Sequence, residues 1–258
     1  MSSVSQGFSV RPASRGCPNC GFTSWCLPAG LTAKGSKQFN DRIEHYRLVK
    51  GREYLHHAGS ALTSLHVVHS GFLKTSIIDG DGHEQVTGFS MTGDLIGIDA
   101  IGTGRYLCNT IALEDSRLCG MRFADLEYLG RAIPALQHHF HRVMGAEIVR
   151  SHGIMLLLGP MSAAERLATF LLSLSRRFSA RGYSGAHFRL PMTRQDIGSY
   201  LGLRIETVSR ELSRFNRSGL IAIDAKDVEI KSMAGLQELI GDYEMRRSLA
   251  RHMKSGTD

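Results

Sequence analysis

Three of the chain's five cysteines, Cys17, Cys20 and Cys26, fall within ten residues. In reducing surroundings, thiols this close together are more often metal ligands or redox partners than structural disulfides. By spacing alone the set suits Zn²⁺ and an iron-sulfur centre equally, because a Cys-x2-Cys pair serves both. A direct thiol-disulfide switch is the third reading. Either metal reading requires a further ligand from elsewhere in the chain. An enzyme built on these thiols would need a paired base, and no histidine stands beside them. The twelve histidines include His56-His57 and His138-His139-His141, which offer haem ligands, although such pairs at helix and loop surfaces are ordinarily solvated.

A second pattern runs from Arg194 to Leu212 and has the form of a helix-turn-helix. Gly198 lets a second helix approach closely, Gly202 takes a turn that needs positive φ, and Val208 and Leu212 turn inward. Ile205, Glu206, Ser209 and Arg210 then share the outward face of the second helix, in the half that enters a major groove. Arg210 can pair with a guanine edge, Glu206 can accept from a cytosine amino group, and Ile205 can touch a thymine methyl. The competing reading is an ordinary helical hairpin with these side chains in water. The glycine spacing, the strand pair that follows and a net charge of +7 favour double-stranded DNA as partner.

These residues need elements to hold them, and 258 residues suffice for one large or two modest domains. No apolar run approaches the length of a membrane span, and the first twenty residues lack the apolar core of a signal peptide, so the expected location is cytoplasmic. Residues 1–16 are aperiodic and read as a loose arm. From about Tyr46 to Met121, short apolar runs alternate with turn signals such as Ser70-Gly71 and Asp79-Gly80-Asp81-Gly82, which predicts an antiparallel barrel or jelly roll.

Pro134 then opens a helical stretch that no strong breaker ends before Gly159-Pro160. His141, Met144, Ile148, Ser151, Met155 and Leu158 recur at alternating spacings of three and four along a helix of about 37 Å. Packing on the chain's own barrel would give a similar stripe, but the sustained period points to a parallel homodimer seam, with Ser151 its weak layer. Ser162-Ala-Ala-Glu165 is a capping box that starts an amphipathic helix from Ala163 to about Phe178. Thr193 to Asp196 starts the helix-turn-helix, and 220–230 reads as a two-stranded wing. The fold class is α+β: an N-terminal cluster-binding arm (1–30), a β-roll (31–132), a dimerisation helix (133–159), a winged helix-turn-helix (160–235), and a C-terminal helix and tail (236–258).

Taken in order, these segments resemble the CRP/FNR superfamily of transcription regulators, and specifically its oxygen-sensing FNR branch. The resemblance rests on Cys-x2-Cys-x5-Cys at 17, 20 and 26, Glu84-Gln-Val-Thr-Gly-Phe89, and Gly93-Asp-Leu-Ile-Gly-Ile-Asp-Ala-Ile-Gly102. Ile154-Met-Leu-Leu-Leu158, Ala164-Glu-Arg-Leu-Ala168, Leu174-Ser-Arg-Arg-Phe178 and Ile205-Glu-Thr-Val-Ser-Arg210 complete it. It implies a cyclic-nucleotide-binding-like jelly roll and a 4Fe-4S cluster held by Cys17, Cys20, Cys26 and a cysteine late in the barrel, where Cys119 stands. It also implies a homodimer on a palindromic TTGAT-like operator, and contact with RNA polymerase through barrel loops such as Asp79 to Glu84. Cys108 matches no ligand position and reads as a buried or half-buried thiol, and Trp25, beside Cys26, reads equally as a cover over the cluster and as an anchoring aromatic with no such role.

Two departures bear on the sensor. The Gly-Glu-Leu turn and Arg-Ser/Thr pair of nucleotide-binding relatives are absent, because Arg105 is followed by Tyr106, so no cyclic nucleotide is expected. The family commonly carries an acidic residue where Ser151 stands in the seam, so cluster-free protein is expected to dimerise more readily than its relatives. The alternative reading is a regulator of the same superfamily with structural zinc, thiol-redox or haem sensing.

Overall fold

The structure is a computed structural model that describes residues 26–159 and 161–241; Cys17, Cys20, Trp25, the 1–16 arm and the tail beyond residue 241 lie outside the described residues. The chain divides into two compact units, 1–148 and 149–258, and the division falls within one helix.

In the first unit, α1 (Ala33–Asn40) precedes eight strands. These are β1 (Glu44–Val49), β2 (Tyr54–His56), β3 (Ser64–Ser70), β4 (Phe72–Ile78), β5 (Glu84–Met91), β6 (Leu95–Ile96), β7 (Asn109–Ala112) and β8 (Ser116–Arg122). They form two antiparallel four-stranded sheets, ordered β1-β8-β3-β6 and β2-β7-β4-β5. Val49, Val68, Ile96 and Leu118 from one sheet meet Leu55, Leu73 and Ala112 from the other in a shared core. This is the jelly roll that the turn spacing predicts.

Two helices that the sequence pattern did not announce, α1 and α2 (Phe123–Ala132), pack with the start of α3 (Pro134–Leu158) on the outer face of the first sheet. Phe39 from α1, Leu126 and Leu129 from α2, and Leu136 from α3 bury against Leu65, Val67 and Met121. α1 escaped notice because Phe39 is the one large side chain it buries, too little to show a period.

In the second unit, α4 (Ala163–Ala180) begins at the predicted capping box, with Ser162 and Glu165 each bonding the other's main chain. α5 (Arg194–Leu201) and α6 (Ile205–Arg217) follow, then β10 (Ile221–Asp224), β11 (Asp227–Ile230) and the short α7 (Met233–Glu238). The wing is larger than the sequence suggested. β9 (His187–Arg189) pairs with β11 as a third strand, in register Phe188 with Val228. Its three residues bury only Phe188, which leaves too little alternation to read.

Candidate nucleic-acid interface and cysteine site

The helix-turn-helix starts at Thr193, which caps α5 by accepting from the Asp196 N–H, while the Asp196 carboxylate accepts from the Thr193 N–H. α5 ends at Gly202, whose φ of 63° lies in the left-handed region that a side chain disfavours. A Cβ on Gly198 would come within 2.6 Å of the Leu203 carbonyl oxygen and 3.6 Å of Val208. The close approach that requires this glycine is therefore to the turn backbone first and to α6 second. Val208, Leu212 and Phe215 are buried along the inner face of α6. Helical geometry then leaves Ile205, Glu206, Ser209 and Arg210 exposed together at the N-terminal half of α6. The Ile223 N–H donates to Asn216 Oδ1 at 3.3 Å, tying β10 of the wing to α6.

The cysteine site follows from strand alternation. In β8, Leu118 faces the roll core, so its neighbour Cys119 faces the other way. Cys119 accordingly packs against the outer cluster made with α1, α2 and the start of α3. Val67, its register partner on β3, lies in the same cluster. Cys26 packs there too, followed by the buried Leu27. Two half-buried sulfur-bearing residues from distant parts of the chain thus converge on one apolar patch with Leu136 and Phe140 of α3. Soft sulfur ligands of this kind fit an iron-sulfur group and zinc alike, and the apolar surroundings limit water access to them.

Along α3, Ile148 is 57% exposed and Met155 68% exposed, with His141 and Leu158 also exposed and Met144 and Ser151 half-buried. The predicted seam is therefore mostly uncovered in the single chain. Near its end, Leu158 lies in van der Waals reach of the Gly202 turn. Arg166 brings the same region together by donating to four carbonyls, those of Leu158, Gly159, Met161 and Leu201, at 2.9 to 3.3 Å.

Comparison with known proteins accords with this architecture. The family described as "Crp-like helix-turn-helix domain" matches residues 165–239, and "Cyclic nucleotide-binding domain" matches residues 46–131. The fumarate and nitrate reduction regulatory protein of Escherichia coli K12 is 41% identical over 87% of this chain and 90% of its own length. The transcriptional regulatory protein btr of Bordetella pertussis is 37% identical over 90% of this chain and 96% of its own. The chain belongs to the CRP/FNR family of transcription regulators. Among solved structures, FixK2 of Bradyrhizobium japonicum superposes with a TM-score of 0.69 at 27% identity, over 75% of this chain and 96% of that one.

As a CRP/FNR regulator of the FNR type, the protein acts by binding DNA through its helix-turn-helix and is not an enzyme. Among the described residues, no helix is long and apolar enough to cross a membrane. Within the roll of this regulator, Asp99 Oδ2 accepts from the Leu107 and Cys108 N–H groups at 2.8 and 3.0 Å. Paired amides of this kind form an anion-binding concavity, filled here by the chain's own carboxylate. Arg105 turns its guanidinium to the Gly59 carbonyl at 2.7 Å. Cys108 is half-buried, 3.7 Å from Thr87 Oγ1, and burial raises its thiol pKa.

The histidines correct one expectation. His56 is buried rather than solvated, its ring stacked 3.8 Å from that of Tyr106 and its Nε2 2.9 Å from Thr110 Oγ1. His57 is exposed and stacked on Tyr54. His138 and His141 are exposed, whereas His139 is half-buried. The sequence reading took Asp79 and Asp81 as turn residues without grouping them with His83; the donor atoms of the three lie within 4.8 Å of one another on the β4–β5 hairpin. Their grouping is turn chemistry, since Asp79 Oδ1 accepts from the Asp81 and His83 N–H groups.

Proposed function

We propose that this regulator senses oxygen through a 4Fe-4S cluster held by Cys17, Cys20, Cys26 and Cys119, and that it reads a palindromic TTGAT-like operator as a homodimer. The observation that carries the reading is the convergence of Cys26 and Cys119 on one apolar patch that also contains the first turns of α3. When bound, the cluster supplies an oxygen-labile tie between the N-terminal cysteines and β8.

The protein's own residues do the rest. Leu27, Leu136 and Phe140 carry the order of the Cys26 segment to α3. The exposed seam of His141, Met144, Ile148, Ser151, Met155 and Leu158 then buries against a second copy. Pairing sets two α6 helices in successive major grooves, with half-sites about one helical turn apart. Ile205, Glu206, Ser209 and Arg210 read base edges there. Loss of the tie shifts the population toward monomer, and affinity for a two-fold operator falls with it. Asp99, seated on the amides of Leu107 and Cys108, supports a roll that works without a cyclic nucleotide. The exposed hairpin from Asp79 to Glu84 is the surface offered to RNA polymerase. Operator and polymerase place this work in the cytoplasm.

Anaerobic purification tests the cofactor. Brown protein containing iron and sulfide, bleached by air, is the expected result; colourless protein carrying zinc, or haem absorption, overturns it and leaves the DNA reader intact.

A further inference from the structure

His139 is the sixth residue of α3 and sits between Leu136 and Phe140, both of which pack in the outer cluster with Cys26 and Cys119. Its ring hydrogen-bonds the Cys26 main chain. Its Nε2 is enclosed and has no hydrogen-bond partner among the described residues, so the bond runs from Nδ1–H to the Cys26 carbonyl oxygen. That oxygen also accepts from the Ala29 N–H at 2.9 Å, which closes the turn following the cysteine. A neighbouring position on this helix, Phe140, is filled by a hydrocarbon ring that meets the same cluster without leaving a polar atom orphaned. An enclosed ring nitrogen without a partner is costly, and packing alone would favour leucine or phenylalanine here. What histidine adds is the bond from α3 to the backbone of Cys26.

We infer that His139 is a positioning residue that couples occupancy of the cysteine site to the pairing of α3. The inference rests on the cluster reading proposed above. Leu27, Leu136 and Phe140 supply non-directional contact, which tolerates sliding of one segment over the other. A hydrogen bond with defined distance and angle does not. With Cys26 held by a ligand, the Nδ1–H bond fixes where the first two turns of α3 lie against β8, and so the direction in which the seam leaves the roll. With Cys26 released, the carbonyl keeps only the Ala29 turn and the Leu27 contact to hold it, and the bond constrains α3 less.

The test compares wild type with His139→Leu, which keeps apolar bulk but no donor, and His139→Gln, which keeps an N–H donor. All three are loaded anaerobically, assayed for iron and sulfide, and sedimented across a concentration series. Each dimer carries two such bonds, so His139→Leu is expected to retain iron and sulfide while its dimer dissociation constant rises about tenfold, with His139→Gln near wild type. An iron-loaded His139→Leu that pairs as wild type does overturns the inference. So does equal weakening of both variants, which marks a packing role, and so does loss of iron from His139→Leu, which places the residue's effect at the site itself. Should His139→Leu not fold, His139→Phe supplies the same comparison with the ring volume kept. Wild-type protein without iron and sulfide is the separate result that overturns the cluster reading, and this inference falls with it.

Discussion

Arg166 donates from Nη1 to the Leu201 carbonyl at 3.0 Å, while its Nη2 donates to the carbonyls of Leu158 and Gly159. One guanidinium thus satisfies last-turn acceptors of both α3 and α5, groups that helix geometry leaves without intrahelical partners. Leu158 belongs to the seam and Gly202, next to Leu201, to the helix-turn-helix. Arg166 thus ties the end of α3 to the helix-turn-helix within the second unit, alongside the contact of Leu158 with the Gly202 turn.

Lysine cannot reproduce that fork, because an ammonium presents a point charge on a flexible stem. Arg166→Lys is expected to lower the stability of this unit by roughly 1–3 kcal/mol, as carbonyls in a partly buried site lose their donors. Urea unfolding measures it, and an unchanged midpoint would show that water replaces the lost bonds.

Arg210 extends outward from α6, whereas Val208 and Leu212 of the same helix are buried. Arg210→Ala is expected to weaken operator binding by roughly 1–3 kcal/mol and to relax preference at one base pair. Binding to a panel of single-base operator variants checks this; uniform weakening across the panel would reassign Arg210 to a phosphate contact.

Ser151 lies half-buried in the exposed seam. Ser151→Asp brings like charges together across a two-fold axis, a repulsion on the order of 1 kcal/mol at partial exposure. In sedimentation of metal-free protein at micromolar concentration, wild type is expected to retain dimer and Ser151→Asp to run closer to monomer. A wild type that is wholly monomeric contradicts the expectation.

Acid should loosen the roll through two buried rings. Burial lowers the His56 pKa from 6.5 to about 4, against the nearby Asp99 charge, and burial together with Arg47 does the same for His66. Between those values the unfolded chain takes up protons that the folded roll refuses. Stability is therefore complete above pH 6.5 and falls as pH drops toward 4, by on the order of 3 kcal/mol for each ring. Unfolding midpoints at pH 7 and pH 5 measure the slope, and His66→Leu should flatten it. An equal slope in that variant would place the titration elsewhere.

The sequence by itself determined the parts that local chemistry dictates. Ser162 with Glu165 and Thr193 with Asp196 start their helices, Gly202 takes its left-handed turn, and the breaker-free stretch that Pro134 opens forms α3. Turn signals such as Ser70-Gly71 and Asp79-Gly80-Asp81-Gly82 likewise marked out short strands. What tertiary structure decided is which distant segments meet. Nothing near Cys119 in the chain says that it faces α1, α2 and Cys26; that follows from Leu118 occupying the roll core and turning its neighbour outward. His56 reads as a surface residue until Tyr106, fifty positions on, stacks against it. β9 exists only because β11 offers an open edge for three residues. Local preference acts within a turn or two of helix, whereas burial and sheet pairing are properties of the packed whole, and only the latter bring Cys26, Cys119 and the start of α3 onto one apolar cluster.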